Sequence, residues 1–275
     1  MHGFIEGKNL VLDAPVLTTA GFDYLRQDLA RLLKQTPDAV MTFTSRIAES
    51  ALAEAGTTPL VFVWVDDPVK AGLVKGYSRP AGKATGVSNR FSEVLGKRLE
   101  VLRELAPGIR RIAVVGPTYQ PEGEAALAAI RPVARTLGLE VMEVGAYASQ
   151  LTLEIQHAIR NGAEAVLPLH VFSTLGYQRL GEEVATLCAT HRIPTVFAES
   201  EMVKAGGLVS YGTNLLEDVR RGADMLVKVL RGANPGEIPI DQASQFELAV
   251  NLRTARQLKV RVPPAVLARA SHVIR

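Results

Sequence analysis

The chain has 275 residues, 47% of them hydrophobic and 21% charged, which describes an ordinary globular protein with room for two domains of roughly 130 residues each. The net charge is only +3 and the Lys and Arg residues are scattered, so the electrostatic footprint of a nucleic-acid partner is missing. The single cysteine, Cys188, rules out an intrachain disulfide.

The five histidines (His2, His157, His170, His191, His272) show no H-E-x-x-H or other close ligand spacing, so neither a metal nor a cofactor is expected. No segment approaches the roughly 20 apolar residues of a membrane span. The first residues have no charged stretch followed by an apolar one, so the chain as written carries no secretory signal.

In chain order, short apolar runs alternate with amphipathic stretches. Residues 9–13 form the first candidate strand. A helix over 23–34 sets Leu25, Leu29, Leu32 and Leu33 on one face. A strand over 39–44 leads into a helix starting near Thr44-Ser45. The run at 60–65, with Val61-Phe62-Val63-Trp64-Val65 unbroken, is a strand covered on both faces, as in parallel sheets flanked by helices. A polar, Gly-rich stretch over 81–89 follows.

A second series then begins. A helix over 92–105 has Ser92 as its N-cap and Val94, Leu95, Leu99, Leu102 and Leu105 as its stripe. Strands at 111–116, 140–144, 165–171, 195–198 and 208–211 alternate with helices at 122–137, 151–160 and 176–190. Gly138 and Gly162 each follow a helix, where a left-handed residue is expected. Cys188 lies on an apolar helix face and reads as buried filler. Helices at 215–230 and 253–258 complete the set. Repeated βα units with short connections imply an α/β architecture with doubly wound sheets.

In open α/β sheets, ligands bind beyond the carboxyl ends of the strands. The residues there include Thr44 and Ser45, Asp66 and Asp67, Tyr119 and Gln120, His170 and Phe172, Ser200 and Glu201, and Tyr211. Hydroxyls ahead of a helix suit a carboxylate. A carboxylate such as Asp66, Asp67 or Glu201 suits an ammonium. The rings of Tyr119, Phe172 and Tyr211 suit a planar side chain. Each has a plainer role beside it. Thr44 and Ser45 also read as helix caps, and Asp66-Asp67-Pro68 as a turn. His170 reads as an interior histidine, Phe172 and Tyr211 as core. No nucleophile is paired with a base, and there is no G-x-S-x-G or phosphate-binding glycine loop, so an enzyme is not expected.

The motifs resemble a known family. The run from Val61 to Val74 is similar to the "VF..V.DPV..GLV" signature of the ABC-transporter substrate-binding family often linked to tryptophan and tyrosine. Ser78-Arg79-Pro80-Ala81-Gly82-Lys83-Ala84-Thr85-Gly86-Val87-Ser88 resembles its "RPGGNVTGVS". Residues 97–107 resemble "KRLELLKELVP", and Ala205-Gly206-Gly207-Leu208-Val209-Ser210-Tyr211-Gly212 resembles "AGGLMSYG". Phe246 to Ala255 and Val262-Pro263-Pro264 are similar to the family's tail.

The resemblance implies a type I periplasmic-binding fold, with two lobes joined by hinge strands that close on a small ligand. Lobe 1 would comprise 1–88 and 214–245, and lobe 2 would comprise 89–213 and 246–275. The implied partners are a small polar or aromatic ligand, an amino acid among them, and ABC permease subunits. By the same resemblance the signal, first strand and first helix of lobe 1 precede the segment beginning at Gly3 and are absent. The expected location is periplasmic or lipid-anchored if the full-length gene carries a signal, and cytoplasmic if Met1 is the start. The alternatives are a cytoplasmic ligand-sensing domain of the same fold, a truncated inactive paralogue, and a cofactor-independent racemase, which the single cysteine argues against.

Overall fold

The computed structural model describes residues 3–14, 22–119, 121–169 and 177–275. The chain divides into two compact units, one of Met1–Arg90 with Leu215–Ser244 and the other of Phe91–Asn214 with Gln245–Arg275. Unit 1 begins with α1 (Phe22–Leu33), β1 (Val40–Phe43), α2 (Ser45–Glu54), β2 (Leu60–Val65) and β3 (Ala84–Ser88). Unit 2 then runs through α3 (Phe91–Leu105), β4 (Arg111–Gly116), α4 (Pro121–Thr136), β5 (Glu140–Gly145), α5 (Leu151–Arg160), β6 (Ala165–Pro168), α6 (Tyr177–Thr190), β7 (Val196–Phe197), α7 (Ser200–Lys204) and β8 (Val209–Thr213). The chain returns to unit 1 for α8 (Leu215–Leu230) and β9 (Asp241–Gln242). It ends in unit 2 with β10 (Phe246–Asn251), α9 (Leu252–Gln257), α10 (Pro264–Arg269) and β11 (His272–Ile274).

The unit 1 sheet has the order β1-β2-β3-β9, with every pairing parallel. β2 is apolar on both sides because both sides are covered. Leu60, Phe62 and Ala84 pack with Leu29 of α1 and with Ala48 and Ala51 of α2. Val61, Val63 and Val87 pack on the other side with Met225 and Val229 of α8. Gly222 lets α8 approach, since a Cβ there would lie 2.5 Å from Val63 Cγ2.

β2 carries a bulge. Phe62 pairs with Gly86 and Val65 with Ser88, so three steps on one strand match two on the other. The extra residue brings Trp64 to φ +60°. The side-chain alternation reverses as a result. Trp64 packs with Val61 and Val63, while Val65 joins Leu60 and Phe62.

Unit 2 has a parallel sheet of order β5-β4-β6 and a second of order β11-β10-β8-β7. A parallel bridge between Val166 and Thr195 links them. β8 and β10 are antiparallel; β7 and β8, and β10 and β11, are parallel. One layer of core joins Leu95, Leu99 and Leu102 of α3 and Ile130 of α4 to Ile112, Val114 and Leu167. The opposite layer joins Ile155 of α5 and Val184 and Cys188 of α6 to Ala113, Val115 and Val166. Cys188 is 1% exposed, and burial pushes its thiol up to about 11, which keeps it protonated and inert. Gly138 (φ +65°) and Gly162 (φ +89°) take the left-handed conformation beyond their helices.

Three expectations need correction. The polar, Gly-rich stretch over 81–89 holds a fully buried strand, β3, whose pairing with β2 buries Thr85 and Ser88 despite their hydroxyls. Residues 9–13 are not a strand. Asn9 Oδ1 accepts from Ile5 N at 2.7 Å and its Nδ2 donates to Gly3 O at 3.0 Å, so the side chain folds the backbone into a turn. A single bridge joins Glu6 and Leu10, and Val11 beyond it is 90% exposed. Ser92 is not the cap of α3, because the helix already begins at Phe91, directly after Arg90 at φ +50°.

Candidate functional site

The strands of unit 1 are parallel, so their carboxyl ends share one edge of the sheet. Three residues there hold positive φ without being glycine: Thr44 (+68°) after β1, Trp64 (+60°) at the end of β2 and Arg90 (+50°) after β3. Such conformations cost about 1–3 kcal/mol each and persist only where the surroundings enforce them. Thr44 is held by its N–H, which donates to Val63 O at 3.0 Å. The β2–β3 end is tied by Ser88 Oγ, which donates to Asp66 O at 2.6 Å, and by Asn89 N, which donates to Val65 O at 3.1 Å. Phe43 and Trp64 meet at this edge with ring centroids 5.0 Å apart and planes tilted by 46°.

The candidate residues of unit 1 separate by role. Thr44 occupies the N-cap position of α2, yet its hydroxyl makes no capping bond. Ser45 is the first residue of α2, and both are half-buried. Their hydroxyls and the free N–H groups of the first turn therefore offer polar partners at the sheet edge. Asp67 is committed to the fold: its Oδ1 accepts from Val69 N and Lys70 N at 3.1 Å each and from Tyr77 Oη at 3.2 Å. Asp66, one residue earlier, is half-buried at the strand end.

The parallel strands β4 to β8 of unit 2 also share a carboxyl edge. Tyr119, after β4, meets Tyr147, after β5, with centroids 5.1 Å apart. The two residues are 46% and 60% exposed. Desolvation, then hydrogen bonding with Tyr147, pushes the Tyr119 phenol up to about 12, so it remains a donor at neutral pH. Ser200 starts α7 and is half-buried, whereas Glu201 lies in solvent and pairs with Lys204 at 2.7 Å. Tyr211 packs against the core of unit 2 and stacks on Phe246 at 5.9 Å. Gln120, His170 and Phe172 lie outside the described residues.

Arg98, which sequence reasoning passed over, sits at the same end of unit 2. It is 3% exposed. Its Nε donates to the carbonyl of Tyr211 at 2.7 Å, and its guanidinium lies 5.2 Å over the Phe91 ring. Nη1 is buried without an acceptor among the described residues. Burial lowers its pKa to about 10, and the charge of Glu199 opposes that fall. The signal was legible: Arg98 stands among Val94, Leu95, Val101 and Leu102, on the apolar stripe of its own helix. The Phe43–Trp64 pair left no such signal, because Trp64 lay inside an apolar run.

Comparison with known proteins places this architecture. The chain is 23% identical over 263 residues to a tyrosine-binding protein of Clostridioides difficile, covering 93% of this chain and 72% of that one. A crystal structure of a conserved domain protein from Vibrio cholerae superposes with a TM-score of 0.86 at 25% identity, covering 98% of this chain and 90% of the other. An ABC domain from Streptococcus pneumoniae in complex with L-Trp gives 0.79 at 21% identity, covering 92% and 84%. These neighbours share the two-lobed α/β fold of type I periplasmic binding proteins. The family model for ABC transporter substrate binding proteins matches residues 8–274, and the chain belongs to that family.

Proposed function

We propose that this chain is the solute-binding component of an ABC importer, and that its ligand is a small polar or aromatic molecule, an amino acid. The observation that carries the reading is the concentration of constraint at the carboxyl edge of unit 1. Thr44, Trp64 and Arg90 hold unfavourable φ values beside uncommitted hydroxyls and an aromatic pair. Strain of this kind clusters at sites of ligand or catalytic contact, and among the described residues no nucleophile–base pair stands at this edge. The tyrosine-binding relative and the L-Trp complex point to the same ligand class.

In this reading Thr44 and Ser45, at the N-terminus of α2, receive the ligand carboxylate. Asp66 receives the ammonium. In unit 2 the ring of the exposed Tyr119 suits the apolar body of such a ligand, and Ser200 lies at the same edge. Asp67 supports the strand end of unit 1, and Tyr211 packs within unit 2. The partners are the permease subunits of the importer, and the protein works outside the cytoplasmic membrane.

A thermal-unfolding screen of amino acids and nucleobases tests this. A ligand at a hundred times its Kd adds about 2.7 kcal/mol, which raises Tm by roughly 5–10 °C for a protein of this size. Aromatic or branched amino acids are expected to give that shift. An unchanged Tm with every amino acid would refute the ligand assignment.

A further inference from the structure

Trp64 is held more expensively than packing requires. At φ +60° a glycine would sit in the bulge without steric cost, yet the chain places its largest side chain there. The bulge turns the indole away from Leu60 and Phe62, onto the face of Val63 and beside Phe43. The indole remains half-buried, and its Nε1–H is enclosed without an acceptor among the described residues. Strained backbone, an orphan donor and a tilted aromatic neighbour therefore coincide at a strand end, with Thr44 beside them also strained and its hydroxyl uncapped.

We infer that Trp64, with Phe43 beside it, is a specificity-determining residue that favours a ligand carrying a planar ring over an aliphatic one of similar size. The inference rests on the reading of the chain as an amino-acid binder. The recognition is by ring-to-ring contact, which depends on geometry as well as on buried area.

The chain has one tryptophan, so indole emission reports this position alone. The full chain is titrated with L-phenylalanine and L-leucine while Tm and Trp64 emission are both followed. L-Phenylalanine is expected to raise Tm and to change the emission saturably, with the same midpoint. Trp64→Gly, which removes the ring and suits the backbone, should weaken L-phenylalanine roughly tenfold while moving L-leucine less than about threefold. Trp64→Phe, which keeps a ring, should hold L-phenylalanine within about threefold. Melting of each variant without ligand checks its fold; should Trp64→Gly not fold, the emission titration and Trp64→Phe decide. L-Phenylalanine binding with unchanged emission, or equal loss of both probes in Trp64→Gly, overturns the inference and leaves the proposed function intact. Binding of aliphatic amino acids but of none that carries a ring does the same. A Tm unmoved by any amino acid overturns both.

Discussion

Arg98 shows what a single buried charge does here. Burial lowers its pKa to about 10, and at ~1.4 kcal/mol per pH unit holding the cation inside costs on the order of 3 kcal/mol. That figure already contains the opposing charge of Glu199, while the Tyr211 carbonyl and the Phe91 ring hold the guanidinium in place. Because the folded pKa lies below the unfolded one, the unfolded chain binds more protons only above about pH 10. Stability from this group is therefore flat through neutral pH and rises only in strong alkali. Arg98→Met is expected to lower stability by about 2–4 kcal/mol, because Glu199, itself 5% exposed, is left without this countercharge. Adding Glu199→Gln should restore part of the loss. Urea unfolding of the single and double variants measures both; a double variant as unstable as the sum would show that the two charges do not interact.

At the scale of elements, the decisive feature is the pairing of β2 with β3. Gly86 faces Phe62, and a Cβ there would lie 2.0 Å from the Phe62 carbonyl oxygen and 2.5 Å from its ring. That contact is with backbone, so side-chain movement cannot relieve it. Gly86→Ala is expected to destabilise by about 2–3 kcal/mol, read as a lower urea midpoint. A loss below about 0.5 kcal/mol would mean that the strands part easily. Strands such as β2, β4 and β6 were legible because continuous apolar runs mark sheets covered on both sides, whereas β3 is a fully buried strand inside the stretch 81–89 that reads as polar and Gly-rich. The bulge was not legible. A register is a relation between two strands, and the one-residue excess over 62–65 appears only when β3 lies alongside. Asn9 failed in the opposite sense: a side chain that bonds its own backbone overrode an apolar pattern too short to resist it.

For the whole molecule, each unit has its own core layers on the two sides of its sheet. Unit 1 is assembled from two stretches of chain, since α8, more than 120 residues after β3, packs onto β2 and β3. Local opening follows the density of buried contacts. In hydrogen exchange, a saturating amino-acid ligand is expected to slow exchange at 43–45, 64–67 and 117–119. Amides of α10 should change little. Slowing confined to the core strands, with the sheet edges unaffected, would count against ligand contact at those edges.

The sequence by itself determined the α/β class, the alternation of covered strands with amphipathic helices, and, through its ordered motifs, the family. Those features are local or recur along the chain, and each residue type states its preference for burial without a partner being named. Only the tertiary structure decided which way Trp64 faces, that Asp67 is spent on its own turn, and that Arg98 lies beneath Tyr211. Each of these depends on what stands opposite: an extra residue in a strand pair, three donors converging on one carboxylate, a carbonyl supplied from far along the chain. The polar chemistry of the sheet edges was visible as a list of residue types, but their division into ligand partners and structural ties came from hydrogen bonds that no spacing in the sequence encodes.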